Sequence, residues 1–188
     1  DLYFERHDGQ AVTTEDFVKA MEDVSAKDLT QFKYWYSQAG TPVINVTARF
    51  NASTKTYTLT FEQQCKAPSD QATNEAFHIP ITIGLLDDTG KEITLPNQQT
   101  STTLELTESK QTFTFDGIPT EPTPSILRRF SAPIKLNQQL TFEQQIRLFQ
   151  HDSDTFNRWE AGQNCLSDLI FNAVNKIQNN QIPKAIPA

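Results

Sequence analysis

Metal-assisted hydrolysis needs two imidazoles one helical turn apart with a carboxylate between or near them, as in His-Glu-x-x-His. The three histidines of this chain do not supply that pattern: His7, His78 and His151 are followed by Asp8, Ile79 and Asp152, and no two of them share a helix turn. His7-Asp8 and His151-Asp152 read instead as loop or helix-end pairs whose acid caps a helix or meets a surface partner. Nucleophilic chemistry has no better foothold, because there is no Gly-x-Ser-x-Gly elbow and neither Cys65 nor Cys165 has a histidine near it in sequence. Cys165 falls in an apolar helical stretch, where a thiol serves as a small buried hydrophobe. Six scattered glycines cannot form a phosphate-cradling loop. The acidic pairs Glu15-Asp16 and Asp87-Asp88 fit a helix's first turn and a tight turn. Asn45-Val46-Thr47 and Asn51-Ala52-Ser53 match the glycosylation pattern but read as strand and turn residues. Arg128 and Arg129 fall in an expected strand, where their side chains face opposite ways and form no patch. No catalytic, cofactor-binding or metal-ligating residue is therefore assigned within the chain.

Composition narrows the partners. Sixteen Lys and Arg stand against 23 Asp and Glu, a net charge of −7, which leaves no basic surface for phosphate backbones or anionic lipids. With 37% hydrophobic residues and no apolar run of about 18, the chain reads as globular and non-membrane. Two cysteines 100 positions apart make no disulfide scaffold, so a reducing, cytoplasmic setting is expected. The sequence opens at Asp1 on apolar Leu2-Tyr3-Phe4 without a signal peptide, and we read this opening as the continuation of a longer chain.

The elements fall into three zones: 1–42 helical, 43–136 a β-sandwich, and 137–188 helical again. Thr13-x-x-Asp16 is a capping box for a helix with Phe17, Ala20, Met21 and Val24 on its buried face. Asp28 is expected to cap a short helix carrying Leu29, Phe32 and Tyr36, closed by Gly40. Period-two alternation then sets in. Ile44, Val46, Ala48 and Phe50, then Tyr57, Leu59 and Phe61, predict a hairpin. Further strands are expected at Phe77–Leu85, at Ile93 and Leu95, at Leu104 and Leu106, at Phe113 and Phe115, and at Ile126–Phe130, about seven in all. Pro80 places the third strand at an edge or a bulge. The expected core is Ile44, Val46, Tyr57, Leu59, Phe61, Ile79, Ile81, Ile83, Phe113 and Phe115. Thr141-x-x-Gln144 and Asp152-Ser153-Asp154 then cap two helices, the second bearing Phe156, Trp159, Leu166 and Ile170, before a polar tail from Gln178. The fold class is mixed α and β, a central immunoglobulin-like antiparallel sandwich flanked by N-terminal and C-terminal helices.

Several strings are specific beyond their elements. Tyr3-Phe4-Glu5-Arg6-His7-Asp8-Gly9-Gln10-Ala11, Trp35-Tyr36-Ser37-Gln38-Ala39-Gly40-Thr41-Pro42, Phe130-Ser131-Ala132-Pro133-Ile134-Lys135-Leu136 and the run from His151 to Ala161 closely resemble the bacterial aminopeptidase N (alanyl aminopeptidase) family of zinc metallopeptidases. The resemblance implies the last helices of a catalytic domain, a whole sandwich domain and the first helices of a C-terminal domain. It implies too that the parent's zinc helix and amine-gripping motif lie upstream of Asp1, so that zinc and peptide substrates belong to the parent and the chain alone is inactive. Its partners would be the parent's remaining domains, and its open helix faces are expected to drive self-association or leave mobile ends. The rival reading is a stand-alone sandwich binding module with helical flanks.

Overall fold

Alternating apolar and threonine residues build the centre of the molecule, described here from a computed structural model that covers residues 1–65, 75–96, 98–179 and 181. Strand β1 (Val43–Asn51) turns back into β2 (Thr56–Gln64) in the register Val46 opposite Phe61 and Phe50 opposite Tyr57, so the apolar set of both strands shares one face. The turn is tied by Asn51, whose side-chain oxygen accepts from the amides of Ser53 and Thr54. β5 (Lys110–Phe115) adds to β2, and β7 (Lys135–Gln138) adds to the other edge, giving the order β5-β2-β1-β7. The facing sheet has the order β4-β3-β6, from β3 (Ile79–Leu86), β4 (Ser101–Leu106) and β6 (Thr123–Ile126).

Ile44, Tyr57, Leu59 and Phe61 from one sheet meet Ile79, Ile81, Ile83, Leu85 and Leu106 from the other, all nearly inaccessible to water. Val46 and Phe115 are buried with them. Phe113 holds its expected register opposite Leu59 and sets its ring edge-on to Phe61, but β5 is an edge strand and Phe113 is only half-buried.

The structure corrects three strand assignments. Ile93 and Leu95 form no strand; one isolated bridge joins Glu92 to Leu86. The stretch from Ile126 to Phe130 is not one strand either, because β6 ends at Ile126 and the backbone then turns left-handed at Leu127 (φ 64°), Arg129 (58°) and Phe130 (50°). The seventh strand is β7 instead, and it pairs with β1 in parallel, the one parallel pairing among the described strands. Pro80 lies in a strand that is central overall, yet β6 pairs only with residues 83–86; at Pro80, β3 has β4 on one side alone, so its missing N–H breaks no ladder.

The caps expected at Thr13, Thr141 and Asp154 stand at helix starts. α1 is Leu2–His7 and α2 is Thr14–Ser25, the latter closed by a complete Thr13/Asp16 capping box. Asp28 caps no helix: its carboxylate accepts from the Thr30 amide in a turn that leads to a 3-10 segment, Gln31–Lys33, and the one-turn α3 (Tyr34–Ser37). The buried side of α2 is Val18 and Ala20, whereas Phe17, Met21 and Val24 face outward. α4 (Phe142–His151) carries the Thr141/Gln144 capping box, and α5 (Thr155–Gln178) is capped by Asp154, whose carboxylate accepts from the Asn157 amide. The expected polar tail beyond Gln181 lies outside the described residues.

Candidate functional site

The most elaborate polar arrangement among the described residues is the junction between the sandwich and the C-terminal helices. Its centre is Arg128, 3% exposed. The left-handed Leu127 turns the chain out of β6 and swings the Arg128 side chain inward over β3, where Gly84 leaves room for it; a β-carbon at Gly84 would overlap the guanidinium. Nε donates to Ser125 Oγ at 2.9 Å, Nη2 to Asp152 Oδ1 at 2.9 Å, and Nη1 lies 3.0 Å from Glu92 Oε1. Asn157 of α5 closes the arrangement, its amide donating to Ser125 Oγ (2.8 Å) and the Ile126 carbonyl (3.0 Å). Ser153 donates to Glu92, and the Arg129 amide donates to the α5 cap Asp154. Strand, turn and two helices are thus fixed to one cation.

Its electrostatics are uneven. Burial pushes the Asp152 carboxyl above the ordinary carboxylate value, outweighing the hydrogen bonds and the Arg128 charge that favour ionisation. Burial pushes Glu92 up as well, but hydrogen bonds from Ser153 and Thr100 and the Arg128 guanidinium prevail and bring it below. The cluster is a joint that holds two carboxylates on one guanidinium, with no water-exposed nucleophile or acid-base pair in it.

The three histidines singled out in the sequence lie apart from one another. His7 ends α1, with its ring against Tyr3; His78 stands before β3, 3.4 Å from Glu105; His151 ends α4 and packs where Gly90 leaves space. Among the described residues no three His, Cys, Asp or Glu side chains gather to hold a metal. Cys165 is buried, and desolvation pushes its thiol up, as for an inert core residue. Asp152 takes the first of the two roles His151-Asp152 suggested, a helix-end residue that accepts from the Asp154 amide, and not the second, since it is 1% exposed and paired with Arg128. The Arg128-Arg129 reading is corrected as well: outside a strand the two do not alternate, and Arg128 is the hub sequence reasoning missed. The isolated Gly84 within a strand pattern was the signal, since such a glycine marks close approach.

Residues 40–139 match a family model described as a domain of unknown function, DUF3458, with an Ig-like fold, and residues 142–187 match its companion, DUF3458_C, described as ARM repeats. The chain belongs to the DUF3458 family. It is 43% identical over 188 residues to aminopeptidase N of Escherichia coli, matching 99% of this chain and 22% of that protein. Aminopeptidase N of Haemophilus influenzae is 36% identical over the same shares, and that of Caulobacter vibrioides 40% identical over 91% of this chain and 19% of its own. A crystal structure of Legionella pneumophila aminopeptidase A in complex with aspartic acid superposes with a TM-score of 0.80 at 32% identity, over 98% of this chain and 20% of that one. The chain is homologous to a region that makes up about a fifth of these peptidases. No helix among the described residues is long and apolar enough to cross a membrane.

Proposed function

We propose that these 188 residues are a non-catalytic, architectural segment of a zinc-dependent cytoplasmic aminopeptidase that removes N-terminal residues from peptides. The observation that carries this reading is the homology along almost the whole chain to about a fifth of aminopeptidase N. The surface supports it. Phe17 and Val24 on α2, and Trp159, Leu166, Ile170, Phe171 and Ile177 on α5, are more than two-fifths exposed, and apolar stripes of this extent call for a covering layer. Repeat helices of the ARM kind bury such stripes by stacking on neighbouring repeats. In this role the sandwich sets the pose of two helical bodies, and the Arg128 junction fixes one of its two attachments.

The test compares the parent protein with the isolated chain. The parent is expected to hold zinc after dialysis and to hydrolyse amino-acyl anilides, while the 188-residue chain does neither and associates with itself as concentration rises. Stoichiometric zinc or hydrolysis by the isolated chain would overturn the reading, as would a parent without peptidase activity.

A further inference from the structure

Opposite charges one turn apart on a helix normally close on each other, and α2 shows it: Lys19 pairs with Asp23 and reaches Glu22 as well. α4 departs from this. Glu143, Arg147, Gln150 and His151 follow at i, i+4, i+7 and i+8 on one face, and that face forms a groove of about 200 Å³ with the turn that holds Asp88 and Thr89. Glu143 stands four residues before Arg147, the order and spacing at which an acid and a base pair best on a helix. Yet they form no ion pair, and neither do Asp88 and His151 from the two walls of the groove. Arg147 is drawn away instead: it is half-buried, and its Nη1 donates at 2.6 Å to Thr123 Oγ1, on a residue fully withdrawn from water. Both walls are fixed. Asp87 Oδ1 accepts from the amides of Thr89 and Lys91 and from the Thr89 hydroxyl, and the His151 ring lies where Gly90 leaves space. The groove thus holds a guanidinium and two carboxylates apart.

We infer that this groove binds a free α-amino acid, with its carboxylate on Arg147 and its ammonium on Glu143 and Asp88. A half-buried guanidinium without a counter-ion calls for an anion, and its remaining N–H groups suit a carboxylate. An anion alone would also meet two acids, and a cation alone would meet Arg147. A ligand that carries both charges on one carbon answers each with its opposite, through charge-assisted hydrogen bonds of about 2.7 to 2.9 Å. Ile146 is the apolar residue of the lining and offers the amino acid's side chain a contact, so aliphatic amino acids are expected to bind better than glycine. The inference does not rest on the peptidase reading, although a free amino acid is also what such an enzyme releases.

The test titrates L-leucine into the 188-residue chain while the amide NMR signals of Thr89, Gly90 and Gln150, which border the groove, are followed. Leucinamide, which lacks the carboxylate, and N-acetyl-leucine, which lacks the ammonium, serve as controls. Saturable shifts with leucine are expected, and each control should bind at least about tenfold more weakly, the loss of one charge-assisted contact. Arg147→Gln should remove the response. Because that change also releases Thr123, the deciding variant is Glu143→Gln, at an exposed position: it should weaken leucine about tenfold and leave N-acetyl-leucine no weaker than before. No saturable response, a control that binds as well as leucine, or a Glu143→Gln variant that binds leucine unchanged would overturn the inference.

Discussion

The sandwich is attached to helices at both ends, and the two attachments use opposite chemistry. On the C-terminal side Arg128 and Asp152 are withdrawn from water, and every nitrogen of the guanidinium has a named partner. On the N-terminal side the charges stay outside: Lys27 pairs with Glu105 through side chains 57% and 46% exposed. What is buried there is neutral. Trp35 lays its ring on Phe77 at 4.7 Å and donates to the His78 carbonyl, while the Gln31 amide donates to the carbonyls of Ala76 and Thr107. A buried ion cluster accepts few geometries, since any shift leaves a charge unpaired; surface pairs tolerate many. The difference assigns the rigid attachment to the C-terminal side and the more compliant one to α1 and α2.

The sharpest way to break this comparison is Arg128→Ala. It leaves the buried Asp152 and the partly buried Glu92 beside no cation and is expected to cost about 3 to 5 kcal/mol. Urea denaturation would read this as a shifted midpoint, and amide exchange should rise first in β6, α4 and the start of α5 while α2 is unchanged. A loss below about 1 kcal/mol would make the junction no more rigid than a surface contact.

A smaller effect sharpens the junction's electrostatics. Because Glu92 titrates below its unfolded value, its contribution is present above that value and is lost as pH falls through the lowered one. Asp152 titrates above its unfolded value, so its term has the other sign: stability is lost as pH rises toward the raised value, and acidification from neutrality restores it until the unfolded value is reached. The deficit of Glu92→Gln relative to the natural protein should therefore be largest at neutral pH and shrink below pH about 4, near the ordinary carboxylate value. Asp152→Asn should remove the gain on mild acidification. Urea midpoints measured across that range would expose either sign if wrong.

What the sequence disclosed follows the same division. Local patterns were legible: the period-two runs of β1 and β2, and the boxes at Thr13/Asp16 and Thr141/Gln144, need only neighbours to act, and they stand where expected. The junction was not legible, because Gly84, Glu92, Ser125, Arg128, Asp152 and Asn157 meet only after two sheets and two helices have assembled. The left-handed turn at Leu127 is paid for by that assembly, and Leu, Arg and Phe do not advertise positive φ. β7 escaped for another reason: Lys-Leu-Asn-Gln is short and mostly polar, and its parallel partner β1 lies some 90 residues earlier. The outward side of α2 misled because Phe17, Met21 and Val24 form a good helical stripe, yet within these residues the smaller Val18 and Ala20 are the ones covered.

The smallest expected effect lies at the N-terminal attachment, in Lys27→Ala. The pair it removes is exposed on both sides, and an ion pair of this kind contributes about 0.2 to 1 kcal/mol, less as salt rises. Glu105 would also retain His78, whose Nε2 stands 3.4 Å away, so the carboxylate is not left alone when the His is protonated. The Lys27 hydrogen bond holds the Glu105 carboxyl below its ordinary value, so the pair's contribution is present above that value and fades with acid. The variant should thus differ from the natural protein by no more than about 1 kcal/mol at low salt and neutral pH. The two should converge in 1 M NaCl, where the screening length falls to about 3 Å. Denaturation at the two salt concentrations checks this directly. A loss that matched Arg128→Ala and persisted at high salt would mean that α2 is held as firmly as α5, and the contrast between the two attachments would disappear.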